Sequence, residues 1–489
     1  MRKCWWHAIL ENMKVLLTGA TGYIGRRLME RLLAEKHVDL RVFVRKAPAL
    51  GNPLGKKLDI VEGDTFNTES LDRALYGVHT AYYLIHSMAS KKGSFEDLDR
   101  KSAENFRQAC ERNGVQRIIY LGGLGSRESG SRHLKSRMET GDILSASPVK
   151  LQTVWFRASI IIGSGGASFE IVRHLVQKLP VMIAPRWVGT VTQPIAVADV
   201  LDYLVAAKDL QAKGNLVIDI GAERITFRDM LQGAARAFAL KRLIIPVPFF
   251  SPKLSLYWLV FITPVPFTMA SALVEGLKYE TVLMNDNAAR LFPLIRPRPF
   301  DRMMRDALAE IERDQVTSRW CDHTTGEVCY LRDTADIARA IFTSRGVYHL
   351  NGVPQSAVFA RVMEAGGEKG WYALNFLWKV RGAMDTLMGG AGASRGRRAK
   401  RELRKGDALD FWRVIDLVDN ERLLLLSEMH IPGKAWLEFL VSGEQLSVTA
   451  FFLPAGLLGR FYWYALLPVH SVLFRRMAKN IVADARSRV

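Results

Sequence analysis

Residues 18–25 read Thr-Gly-Ala-Thr-Gly-Tyr-Ile-Gly, directly after the apolar run Val15-Leu16-Leu17. A strand that ends in glycines at this spacing and opens into a helix builds a seat for a pyrophosphate. Gly19 permits the tight turn, Gly22 lets backbone approach the phosphates, and Gly25 lets the helix pack close on the strand. The helix start then offers unpaired N–H groups and a partial positive charge to the anion. A glycine pattern alone is weak. Its context makes this one specific: a strand precedes it, and Ile24, Leu28, Leu32 and Leu33 share one face of a helix from Tyr23 to about Glu35.

Two further clusters fit the same ligand. Arg45-Lys46 follows the second apolar run, where a dinucleotide-binding unit meets the adenosine ribose. An acid there would hold the 2′-hydroxyl of NAD, whereas arginine suits the 2′-phosphate of NADP. No Asp or Glu occupies positions 42–46, which favours NADP(H) over NAD(H). Glu62-Gly63-Asp64 follows the third run. It reads either as an adenine contact through Asp64 or as a turn built by Gly-Asp.

The elements that must position these groups alternate. Apolar runs at 15–18, 40–44, 58–62, 80–85, 117–121 and 152–156 are separated by polar, helix-like segments. That alternation predicts an α/β fold with a doubly wound parallel Rossmann sheet. Residues 165 to about 312 read as an extension, with helices at 168–178 and 197–208, a Pro-rich loop at 180–194 and a strand at 215–219. From about 320 the pattern changes. A strand is expected near 347–350, an amphipathic helix at 371–388, strands at 408–417, 423–429, 435–441 and 446–452, and a final helix at 457–486. A curved antiparallel sheet on a long C-terminal helix is a helix-grip plan, an α+β layout that usually leaves an apolar cavity. The expected division is a tail at 1–12, a nucleotide-binding domain at 13–312 and a helix-grip domain at 320–489.

Length and charge bound the rest. A chain of 489 residues is too long for one core, so two or three domains are expected. The net charge of +19 suits anionic partners, and Arg395–Lys405 is its densest cluster. It reads as a solvated loop facing anionic lipid, a peripheral membrane contact. No nucleic-acid-binding motif accompanies it. The four cysteines, Cys4, Cys110, Cys321 and Cys329, form no Cys-x-x-Cys pair, and no His/Cys cluster has metal spacing. A reducing, cytoplasmic compartment and no bound metal are expected. Residues 244–275 contain too many prolines for a spanning helix, and 453–474 carry Arg460, Pro468 and His470, so a buried or interfacial helix is expected there. Residues 1–12 lack the apolar core of a signal peptide.

TGATGYIG, VRK, EGD, YYLIHSM and YLGGLGS together resemble an atypical short-chain dehydrogenase/reductase of the NmrA-like and complex-I-accessory-subunit type, over roughly residues 13–310. GWYALNFLWKVRG, GDALDFWRV and GRFYWYALLPVHSVLFRRM are similar to a START/polyketide-cyclase-like domain fused to such units in a bacterial two-domain family. The resemblance implies cofactor contacts at Gly19, Thr21, Gly22, Tyr23, Ile24, Gly25, Arg45, Lys46, Asp64, Thr65, Leu84, Ile85, His86 and Gly122. After the sixth strand it implies backbone contacts to the nicotinamide amide from Arg157, Ala158 and Ser159. Active members use Tyr-x-x-x-Lys after the fifth strand; here that stretch is His133-Leu-Lys-Ser-Arg137. Arg137 suits ribose hydroxyls but not proton donation. His133 is a candidate general acid, and Ser126 stands near the family's substrate-polarising serine. Three functions remain: an NADP(H)-dependent oxidoreductase acting on an apolar carbonyl or quinone-like substrate, a non-catalytic redox sensor or assembly factor, and a lipid-binding membrane-surface protein. Trp371, Trp378, Trp412, Trp436 and Trp463 read as core or as the lining of a lipid-sized cavity. Nothing in the sequence sets the oligomeric state.

Overall fold

Strands whose residues are apolar at every position need a partner layer on both faces, and the first unit supplies both. The structure, a computed structural model, describes residues 12–50, 58–85, 95–125, 131–147, 149, 151–247, 271, 275–276, 279–312, 340, 342–387 and 403–488. The first half runs β1 (Met13–Thr18), α1 (Tyr23–Ala34), β2 (Val38–Val44), β3 (Asp59–Glu62), α2 (Thr68–Leu75), β4 (Thr80–Tyr83), α3 (Phe95–Arg112), β5 (Arg117–Gly123), α4 (Arg132–Leu144) and β6 (Gln152–Ala158). It continues with α5 (Ala167–Lys178), β7 (Val181–Pro185), α6 (Val197–Ala206), β8 (Leu216–Ile220), α7 (Phe227–Ala237), β9 (Leu243–Val247) and α8 (Phe300–Glu312). Seven strands form a parallel sheet in the order β8-β6-β5-β4-β1-β2-β3. Alternate residues face opposite layers: Val15, Leu17, Ile119 and Leu121 pack with α1 and α6, while Leu16, Ile118 and Tyr120 pack with α2, α3 and α4. The strand order reverses between β1 and β4, and that is where ligands bind in such sheets.

One expectation for this half is corrected. Residues 180–194 are not all loop, because Val181–Pro185 forms β7 and pairs in parallel with β9, 62 residues on by Val181↔Leu243. Met182, Ala184 and Ile244 point into the core, while Val181, Ile183, Leu243 and Ile245 are exposed. Pro246 is tolerated because the pair has free edges.

The second half holds β10 (Phe342–His349), α9 (Gln355–Val362), α10 (Asn375–Leu387), β11 (Ala408–Leu409), β12 (Trp412–Val418), β13 (Arg422–Ser427), β14 (Gly433–Ser442), β15 (Gln445–Pro454) and α11 (Gly456–Arg486). Its antiparallel sheet has the order β10-β15-β14-β13-β12-β11. The long α11 lies across β10 and β15. A Cβ at Gly346 would stand 2.3 Å from the Arg475 nitrogen, so glycine sets this close helix–strand approach. The helix expected from 371 begins at 375, and the strand expected over 408–417 is broken after 409. Tyr372 and Leu374, at φ 60° and 46°, hold the chain out of the helix until 375, and Asp410 breaks the strand. Asp410, at φ 52°, turns the chain and accepts from Trp371 Nε1 at 3.0 Å and Gly367 N at 3.1 Å. Trp371, Trp378, Phe411 and Trp412 pack ring on ring, with centroids 5.4–6.5 Å apart.

Trp463 is stacked between Phe342 and Phe452, and His470 sits against Trp463 and Phe474 at 5.1 Å each. The buried Nδ1 of His470 has no hydrogen-bond partner, and burial pushes its pKa down to about 4. An unfolded histidine titrates near 6.5, so the unfolded chain binds the extra proton between these values. Stability from this residue is therefore full above about pH 6.5 and is lost as pH falls towards 4, amounting to about 2 kcal/mol at pH 5. Urea midpoints at pH 7 and pH 5 should converge in His470→Phe. An unchanged pH dependence would refute the assignment.

Among the described residues, no helix is long and apolar enough to cross a membrane. The two halves meet at α1. Arg26 and Asp407 are both buried, 2% and 0% exposed, with Nη1 and Oδ1 3.7 Å apart. Ala408 joins a core cluster otherwise built from the first half, including Phe169, Met303 and Met304.

Candidate functional site at the strand-order reversal

The glycine loop is held by contacts that leave no room for side chains. Gly19 has φ +69°, and a Cβ there would stand 2.4 Å from the Leu84 carbonyl oxygen. A Cβ on Gly25 would stand 2.1 Å from the Gly19 oxygen. Gly22 differs: its Cβ would meet the Gly19 oxygen alone, at 3.2 Å, so the space in front of it is open. Gly22 N donates to Gly19 O at 2.9 Å and Arg26 N to Gly22 O at 3.0 Å, which closes the turn and starts α1. No side chain caps this helix and no acid lies in its first turn. First-turn N–H groups have no intrahelical acceptor, so this end suits a pyrophosphate. These residues fit a dinucleotide.

Thr18 completes the seat and was not singled out from sequence. Its hydroxyl donates to Tyr82 O at 2.8 Å and accepts from Leu84 N at 3.2 Å. This ties the ends of β1 and β4 together and places Leu84 against Gly19. Ile85 follows at the same strand end. Thr21 and Ile24 are half-buried in the loop and first turn. Tyr23 is turned away: its hydroxyl donates to Ser164 O at 3.1 Å, and burial raises its pKa far above the usual phenol range. Arg27, beside it, reaches Ser164 O at 2.9 Å and Glu310 at 2.8 Å.

At the adenosine end the ends of β2 and β3 come together. Gly63 N donates to Val44 O at 3.0 Å and Ala47 N to Glu62 Oε1 at 2.5 Å. This brings exposed Arg45 and half-buried Lys46 beside Asp64. Asp64 Oδ1 accepts from Phe66 N at 3.1 Å, the turn that Gly-Asp suggested. Thr65 is buried, accepting from Ser102 at 2.9 Å, and its carbonyl accepts from Asn105 at 3.0 Å.

At the nicotinamide end neighbouring groups fix several of the named residues. Gly122 is packed under Trp155, whose Nε1 would lie 2.5 Å from an added Cβ. Arg157 forms a two-bond pair with buried Asp219, at 2.6 and 3.0 Å. The Ala158 carbonyl accepts from Leu124 N at 2.8 Å. Ser159 shares its hydroxyl with Thr192 and Thr281, each 2.7 Å away and 2.7 Å from one another. Arg137 donates to the Leu121 carbonyl and lies over the Tyr120 ring at 5.7 Å. His133, half-buried, sits one turn before it near the start of α4, which Ser131 caps at 3.2 Å. Ser126, His86, Cys4, Cys321, Cys329 and residues 395–402 lie outside the described residues. Among the described residues no group of three or more His, Cys, Asp or Glu side chains could hold a metal ion. A concavity of about 250 Å³ lies between α1, α6 and α8, lined by Arg27, Glu30, Met303 and Glu310; it flanks α1 rather than facing the glycine loop.

Comparison with known proteins agrees with this geometry. Residues 19–153 match the family model described as NAD(P)H-binding. The first unit is an NAD(P)-binding Rossmann domain. Residues 337–477 match a family described as a protein of unknown function, DUF2867. Over 240 residues the chain is 28% identical to a ceramide reductase of Caulobacter vibrioides, covering 48% of this chain and 73% of that one. Over 119 residues it is 32% identical to a 3 beta-hydroxysteroid dehydrogenase/Delta 5-->4-isomerase of Mycobacterium tuberculosis, covering 22% of this chain and 31% of the relative. The structure of Citrobacter sp. triphenylmethane reductase complexed with NADP(H) superposes with a TM-score of 0.49 at 18% identity, over 60% of this chain and 99% of that one. Fold and relatives support an NAD(P)-dependent oxidoreductase without specifying its substrate.

Proposed function

We propose that the chain is an NADP(H)-dependent reductase acting on an apolar carbonyl or quinone-like compound in a reducing, cytoplasmic setting. The observation that carries it is the open face of Gly22 at an uncapped helix start, with Arg45 at the neighbouring strand end. The names of the two relatives, a ceramide reductase and a steroid dehydrogenase, support an apolar substrate. Bound NADPH would supply a hydride to the substrate carbon. The substrate oxygen then needs a proton, and His133 is the candidate donor. Arg137 stands where active short-chain dehydrogenases carry lysine, and its role in this reading is to orient. The sheet-and-helix second unit, START-like in this reading, receives the apolar substrate.

The test is NADPH consumption followed at its absorbance with long-chain aldehydes, ketones and quinones in detergent. One NADPH oxidised per carbonyl reduced supports the reading, with kcat in His133→Ala lowered about tenfold or more. Tight NADPH binding without oxidation across the panel would leave the binding-only sensor, a reading favoured by the hold of Arg137 on the Leu121 carbonyl. Arg45→Ala should weaken NADPH binding about 10- to 100-fold, the worth of a charge-assisted phosphate contact, while leaving NADH unchanged. Equal losses for both cofactors would remove Arg45 from the 2′-phosphate.

A further inference from the structure

We infer that the second unit docks on an anionic phospholipid bilayer through the outward faces of α11 and α10. This rests on surface features of the second unit alone and not on the reductase reading. The inner face of α11 is spent on the core through Trp463, Leu473, Phe474, Met477 and Ile481. Its outer face is apolar for the first four turns. Leu457, Phe461, Tyr464, Pro468 and Val472 follow one another at three- and four-residue steps, which places them on one stripe. Leu457 is 75%, Phe461 73% and Tyr464 59% exposed. Soluble surfaces rarely present large apolar side chains in a contiguous row without a partner. The same stripe then turns basic at Arg475 and Lys479, with Arg476 beside them, all exposed. Arg460 adds a fourth cation, and no acid occurs between Gly456 and Ala483.

The neighbouring helix repeats the pattern. Arg381 of α10 lies 5.7 Å from the Tyr462 ring of α11, so the two helices touch. The exposed side of α10 carries Phe376, Val380 and Met384 at four-residue steps, with Lys379 among them. Exposed apolar side chains with cations beside them complement an interface of acyl chains beneath anionic headgroups. A protein partner of ordinary composition would not demand the absence of acids, and a second copy would bring cation against cation. Neither helix is long and apolar enough to span, so both lie in the plane of the interface.

The experiment is co-sedimentation of the full chain with vesicles of phosphatidylglycerol and phosphatidylcholine, against phosphatidylcholine alone, at low and high salt. Binding to the anionic vesicles that weakens with salt is expected. Phe461→Glu should weaken it about tenfold or more. Replacing Arg475, Arg476 and Lys479 together by alanine should weaken it about 100-fold, at about fivefold per cation. Leu294→Glu, at an apolar and still more exposed position in the first unit, should bind as the parent does. All replaced residues are exposed, and melting curves confirm that the variants fold. A parent chain left in the supernatant overturns the inference. So does equal loss in Phe461→Glu and Leu294→Glu. A Phe461→Glu variant that changes from dimer to monomer in sedimentation velocity, with vesicle binding unchanged, would assign the face to a second copy instead.

Discussion

Gly25→Ala is expected to abolish measurable NADPH binding and to destabilise the first unit by about 3 kcal/mol. Its single added carbon would sit 2.1 Å from the Gly19 oxygen and 3.0 Å from the Ala20 Cα, both backbone. Neither can rotate away, so α1 must move off the loop, and overpacking of this kind costs about 1–3 kcal/mol or more. Gly22→Ala is the matched comparison. Its Cβ would meet one atom at 3.2 Å, so the fold should persist while the phosphate approach is blocked. The expected result is a Kd for NADPH raised about 100-fold, near 2.7 kcal/mol, with an almost unchanged melting temperature. Fluorescence titration and thermal melts separate the two outcomes. If Gly22→Ala binds NADPH as well as the parent, the pyrophosphate is not seated here.

Asp407→Ala is expected to cost about 3–5 kcal/mol and to weaken NADPH binding, although Asp407 belongs to the second unit. The variant removes the carboxylate 3.7 Å from the buried Arg26 guanidinium and, with it, the acceptor of Arg404 N at 2.9 Å. Removing one partner of a buried pair is far costlier than removing both. Arg26→Met combined with Asp407→Leu should therefore recover the part of the loss that comes from the charge pair, though not the bond to Arg404 N. The cofactor effect follows from position: Arg26 N closes the first bond of α1 onto Gly22 O. A shift of Arg26 displaces the helix start that faces the phosphates. The decisive measurement is a double-variant cycle in denaturation midpoint and NADPH affinity. Additive losses would mean that the pair is not coupled and that the second unit does not brace the glycine loop.

Arg137, Arg157 and Ser159 show where reading the chain alone stops. The family resemblance implied a ribose contact from Arg137 and backbone contacts from Arg157 and Ser159, and left open what holds their side chains. The structure puts all three at the right end of the sheet, yet spends their side chains on Leu121, Asp219, and Thr192 with Thr281. Those partners lie 16, 62, 33 and 122 residues away, and no local pattern announces them. Asp410 acts similarly, ending one expected strand and anchoring the indole of Trp371, 39 residues earlier.

Sequence by itself determined the alternation of strands and helices, the glycine loop, the basic strand end at Arg45 and the antiparallel second half. These rest on periodicity and on backbone freedom at single glycines, which are local properties. Only the tertiary structure decided that Val181–Pro185 is a strand, since its pairing and its core face come from β9. It also decided that Thr18 ties Leu84 against the glycine loop and that Asp407 reaches Arg26. A side chain's role depends on which donor, acceptor or charge folding brings within reach, and that is set by the whole chain.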